Sequence, residues 1–131
     1  MSLLLLLALI AIPIAVRYWA KRHASQHSAA ITGLAFGSVV SPFSFGVYFG
    51  AGFLGPFGLP LVLIALPAAM FHGTPGFRIA VELSVIPPSV VEGTSRLYVE
   101  LINALVWAPI YGAMGWLIDR VRKHKQTKSA L

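Results

Sequence analysis

Residues 23 to 77 run for 55 positions without an Asp, Glu, Lys or Arg. Soluble domains carry about 25% charged residues, so a stretch of that length cannot form a water-facing surface. Residues 1 to 16 are equally free of charge. Over the 131 residues, charged side chains make up 11% and hydrophobic ones 57%. A soluble fold and a disordered chain are thereby excluded. The absence of Cys removes disulfide scaffolds, thiol catalysis and thiolate metal sites together. What remains is a small integral membrane protein.

The excess of ten Lys+Arg over four Asp+Glu would suggest nucleic-acid binding in a soluble chain. Its distribution says otherwise. Arg17, Lys21 and Arg22 follow the first apolar segment, and Arg120, Arg122, Lys123, Lys125 and Lys128 follow the last. Cations at the ends of apolar segments are topology signals. No aromatic-interleaved basic patch accompanies them, so no nucleic-acid partner is expected.

Four apolar segments can be delimited. The first, residues 3 to 20, opens with five leucines and contains Pro13. Its cations come after the apolar run rather than before it, which favours an anchor over a cleaved signal peptide. A single helix over residues 29 to 71 would be about 65 Å long, twice the ~30 Å hydrocarbon core. Gly55, Pro56, Gly58 and Pro60 supply the break, giving a second segment at 29 to 54 and a third at 59 to 71. The third, short and carrying Pro67, reads as tilted, re-entrant or half-helical. Residues 72 to 96 hold Arg78, Glu82, Glu92 and Arg96 and read as an interfacial, extramembrane segment. The fourth apolar segment covers 97 to 118, and a basic tail occupies 119 to 131.

The fold expected is therefore all-α: a polytopic integral membrane protein with four membrane-embedded helical segments, three or four of them full crossings. Four crossings divide the cations five against five between the two sides. Three crossings with a re-entrant third segment place eight on one side and leave Arg78 and Arg96 on the other. Segment length favours four crossings, and charge favours three. The basic tail places the C-terminus in the cytoplasm, and the bacterial cytoplasmic membrane is the expected location.

Several residues are candidates for chemistry or contact. At 100° per residue, Glu100, Asn103, Ala104, Trp107 and Tyr111 share one face of the last segment. Ile102, Leu105, Val106, Ile110, Ala113 and Leu117 lie opposite, facing lipid. Intramembrane carboxylates mark ion or substrate contacts, although Glu100 can equally pair with Arg96 one turn back. Small residues four apart permit close helix contact: Gly33 with Gly37, Gly46 with Gly50, and Ala104, Ala108 and Gly112 in series. Tyr48, Phe49, Phe53 and Phe57, set among glycines, read as an interfacial belt or the wall of an apolar pocket.

Phe77, Ile79, Val81, Leu83 and Val85 alternate with more polar residues as in a half-buried strand, and also fit a helix with Arg78 and Glu82 one turn apart. They form a candidate partner-binding segment. His72 to Gly76 reads as a turn. His23 and His27, with His72, are weak metal candidates because no acidic residue accompanies them. No motif for an enzyme, a cofactor or a metal stands out. The expected role is protein binding, as an accessory subunit, regulator or neutralising partner of another membrane protein, or through self-association and lipid contact. The alternative is an oligomeric channel or carrier with Glu100 and Asn103 on its pathway.

Overall fold

A computed structural model describes residues 3 to 87 and 94 to 129. Within them lie four α-helices and no strand: α1 (Leu3–His23), α2 (Ser28–Gly52), α3 (Leu59–Glu82) and α4 (Thr94–Ser129). Short 3-10 helices at Ser25–His27 and Gly55–Gly58 join α1 to α2 and α2 to α3. The second turns at Gly55, whose φ of 57° is left-handed and unfavourable for residues with a Cβ. Three stretches, Ser25–Gly52, Gly55–Glu82 and Ser95–Lys125, are long and apolar enough to cross a membrane. Large apolar side chains, including Leu63, Ile64, Leu105 and Leu117, point outward. That is the arrangement of a bundle solvated by hydrocarbon.

The longest interface joins α2 and α4 in antiparallel register. Small residues allow their backbones to meet. A Cβ on Gly33 would fall on the Tyr111 carbonyl, one on Gly37 on the Trp107 carbonyl, and one on Gly115 on the Ala29 carbonyl. Ala108 lies directly against Gly37, and Gly112 faces the Leu34 side chain. At one end of this seam the Asp119 carboxylate accepts hydrogen bonds from the Ala29 N–H at 2.9 Å and the Ala30 N–H at 2.9 Å. An acid on α4 thus caps the N-terminus of α2, whose own preceding residue, His27, makes no side-chain cap.

The third segment departs from the boundaries expected of it. Its helix runs on past Phe71 to Glu82, through both Pro67 and Pro75. The turn expected at His72–Gly76 is helical, as are residues 77 to 82 of the possible strand. Helical spacing prevails over alternation because Ala80 is buried with Val99 and Ile86, and Phe77, Val81 and Ile102 pack around that cluster. Ile102, expected to face lipid, is half-buried against this cluster. The helix stops in a Schellman arrangement: Ser84 N–H donates to the Val81 carbonyl and Val85 N–H to the Ala80 carbonyl, each at 2.9 Å, with Ser84 at a left-handed φ of 56°.

The path of α3 is set by what it touches. Its start lies at the end of α2, where Gly58 abuts the Ala51 carbonyl. Its end lies by Val99, near the beginning of α4. Arg96 stands over Phe45 and Phe49, so the end of α2 and the beginning of α4 occupy the same end of the bundle. Between these points His72 reaches Trp107 and Tyr111 further along α4. Both ends of α3 thus have neighbours at the same end of the bundle.

Replacing Gly37 with Leu should separate α2 from α4 and lower stability by about 1–3 kcal/mol, measured as denaturant unfolding in mild detergent. Ser84→Gly should raise it by about 0.5–1 kcal/mol, since glycine adopts the required φ without steric penalty.

Candidate functional site

The proline and glycines of α3 lie beside a row of polar side chains on α4. Pro75 has no N–H to donate, and such breaks persist in apolar surroundings where neighbouring groups bond the backbone. Asn103, fully buried, accepts the Gly76 N–H at Oδ1 over 2.7 Å. Its Nδ2 donates to Ser41 Oγ on α2 at 3.1 Å and to the Gly73 carbonyl at 3.3 Å. One turn on, Trp107 Nε1 donates to the His72 carbonyl at 2.8 Å. A single amide therefore links three helices. Gly76 admits it, because a Cβ there would lie 2.5 Å from the Asn103 amide.

His72 extends the row. Its Nδ1 lies 2.8 Å from the Ala68 carbonyl, which can only accept, so Nδ1 carries a proton. In the neutral ring Nε2 then accepts from the Tyr111 hydroxyl at 2.9 Å. Ser44 Oγ donates to the Val40 carbonyl and stands 3.3 Å from Nδ1. Phe36 meets the Tyr111 ring edge-on, and Phe71 leans on Trp107. Each polar atom in this set has a partner within the chain.

Of the four polar-contact candidates on α4, then, Asn103, Trp107 and Tyr111 are engaged in holding helices together. Glu100 is placed differently. Its Oε2 is buried and has no hydrogen-bond partner. The pairing with Arg96 is not made, since that guanidinium lies 5.4 Å over the Phe45 ring and 5.8 Å over Phe49. Glu100 and Arg96 both line a cavity of about 330 Å³, walled by Phe45, Phe49, Met70 and Phe77 among others.

The small residues divide in the same way. Gly33, Gly37, Ala108 and Gly112 lie on the α2–α4 seam, Gly46 is buried, and Ala104 is half-buried. Gly50 has open space around it. In the expected partner-binding segment, Ile79, Leu83 and Val85 are exposed while Phe77 and Val81 are half-buried. Phe53 and Phe57, at 88% and 90% exposure, stand at the α2–α3 turn.

Both basic clusters come to one end. Arg17 and Lys21 from α1 share a groove with Ser28 and Arg122. Arg22 lies over the Tyr18 ring and Arg120 over Trp116. Lys123 and Lys125 continue along α4, while the side chain of Lys128 lies outside the described residues. His23 Nδ1 bonds the Trp19 carbonyl and His72 bonds Tyr111, and no His, Asp or Glu group suited to a metal occurs among the described residues.

Sequence reasoning placed Asn103, Trp107 and Tyr111 on one face but missed their partners, His72 and the Pro75 break. It also missed Asp119 as a cap. The available signals were a histidine inside an apolar helical run and an acid ending one. No family model matches this chain, and neither a curated protein nor a solved structure with significant similarity is found.

Asn103→Ala should cost about 1–3 kcal/mol by leaving buried polar groups unsatisfied. Tyr111→Phe should cost about 0.5–1.5 kcal/mol, because only the His72 bond is lost. Chemical denaturation in detergent checks both values and their order.

Proposed function

We propose that this chain is a non-catalytic membrane protein that acts by binding, as an accessory subunit, regulator or neutralising partner of another membrane protein. The observation that carries this reading is the mutual satisfaction of the central polar groups. Asn103 is spent on Ser41, Gly73 and Gly76, and Tyr111 on His72. A conducting pathway needs polar groups open to its cargo, and these are closed on one another. The surface available for contact is apolar: Gly50 with open space around it, and Phe53 and Phe57 at the tip of the α2–α3 turn. A small residue facing outward is where a foreign helix can approach closely.

In the arrangement proposed, α1, α2 and α4 cross the bilayer and α3 enters and leaves from one side. Support comes from the neighbours of α3, which lie at the end of α2 and the beginning of α4. The shared groove of Arg17, Lys21 and Arg122 supports it as well. With both basic clusters cytoplasmic, the positive-inside count is eight against two. The C-terminus is then cytoplasmic, consistent with a bacterial inner membrane.

The chain contains no Cys, so single-cysteine variants label without background. Ser25→Cys and His124→Cys should react with an impermeant thiol reagent only after permeabilisation. Phe57→Cys and Val85→Cys should both react in intact cells; labelling of these two from opposite faces would defeat the arrangement. For the role itself, a photo-reactive amino acid at Gly50 should give a discrete adduct with a second protein in native membranes. Lipid adducts alone at that position, together with ion flux in proteoliposomes abolished by Glu100→Gln, would favour a conductor.

A further inference from the structure

We infer that the cavity between α2, α3 and α4 at Arg96 and Glu100 is a binding site for a phospholipid with a primary-amine headgroup. This goes beyond the protein-binding role and does not depend on it. A buried carboxylate oxygen without a donor is costly in an apolar environment, and Glu100 Oε2 is in that condition. The Glu100 side chain is one of those lining a cavity of about 330 Å³, within the size range of small-molecule sites.

The chemistry of the lining selects the ligand. Glu100 calls for an N–H or O–H donor, most favourably a cationic one. Arg96, four residues earlier on the same helix face, presents a guanidinium suited to phosphate. It is held over Phe45 and Phe49 rather than spent on Glu100. An ammonium and a phosphate within one headgroup answer both side chains. The rest of the wall is apolar, and two of its members, Phe49 and Met70, are 47% and 60% exposed on the bundle's flank. Acyl chains leaving the headgroup can follow that flank into the surrounding hydrocarbon. A soluble zwitterion has no tail to use it.

The donor requirement separates closely related lipids. A primary ammonium can donate a hydrogen bond to the Glu100 carboxylate, whereas a quaternary ammonium of the same charge has no N–H to give. The full chain should therefore retain phosphatidylethanolamine over phosphatidylcholine when native mass spectrometry is performed from nanodiscs containing equal amounts of each. Glu100→Gln and Arg96→Ala should each reduce phosphatidylethanolamine retention by about tenfold or more, the loss expected for a charge-assisted hydrogen bond. Met70→Trp, which fills the cavity while leaving both charges in place, should reduce it as well. Gel filtration identifies variants that remain folded, and Met70→Trp decides the matter if a charge variant does not. Equal retention of the two lipids overturns the proposal, as does retention unchanged in folded Glu100→Gln or Met70→Trp. Phosphoethanolamine without tails, added at matched concentration, should fail to compete; effective competition would mean that the ligand is a soluble zwitterion and that the lipid assignment is wrong.

Discussion

A proline in the interior of an apolar helix is the constraint from which the arrangement of this protein follows. Pro75 supplies no N–H, and the carbonyl one turn before it loses its ordinary partner. In water the solvent would make good the loss. In hydrocarbon only other protein groups can. Around the proline the α4 side chains bond the backbone directly, with Trp107 bonding the His72 carbonyl and Asn103 bonding Gly73 and Gly76. Because the bonds run from side chains of one helix to the backbone of another, they fix where α3 sits along α4. The Asn103 bond to Ser41 extends the same fixation to α2.

The α2–α4 seam makes such bonds possible. Asn103 is short, and its amide reaches both neighbours only if the helices approach closely. Gly33, Gly37 and Gly115 remove the side chains that would hold α2 and α4 apart. Asp119 then secures the end of the seam, its carboxylate meeting the exposed N–H groups and positive dipole end of α2. An acid at that position also offsets local repulsion among the surrounding cations. The antiparallel pairing has a topological consequence: since α2 ends where α4 begins, the chain between them leaves and rejoins this pair at the same end.

How much of this was legible in the amino acids depends on the range of the interaction. Helical identity and the shared face of Asn103, Trp107 and Tyr111 follow from local composition and a 100° step, and both are found. The end of α3 was not legible, because Gly73, Pro75 and Gly76 are breakers by local propensity and the groups that accommodate them lie about 30 residues away in α4. The strand-like alternation over residues 77 to 85 misleads for a similar reason, since the burial of Ala80 against Val99 selects helical spacing. Asp119 looked like a terminal charge until α2 was placed beside it. The number of crossings was not legible, because the charge count favoured three with a re-entrant third segment and segment length favoured four. A helix of 24 residues is long enough to cross, and that both its ends have neighbours at one end of the bundle is something length cannot reveal.

The polar face of α4 also shows how support and binding can be distinguished within one helix. Asn103 and Glu100 are less than one turn apart, and on pattern alone they form a single polar patch. Their hydrogen-bond states differ. Asn103 has its acceptor and donor sites occupied by Ser41, Gly73 and Gly76, so a ligand there would have to break bonds that hold the bundle together. Glu100 lines an open cavity and keeps one carboxylate oxygen buried without a partner, and a donor bound to this carboxylate would offset a desolvation cost already incurred on folding. Binding at Glu100 can therefore be favourable without weakening the bundle, whereas binding at Asn103 cannot. The end of α3 packs beside Val99, next to the wedge between Phe45, Phe77 and Arg96, and Glu100 at that wedge carries the one buried side-chain oxygen without a partner among the described residues.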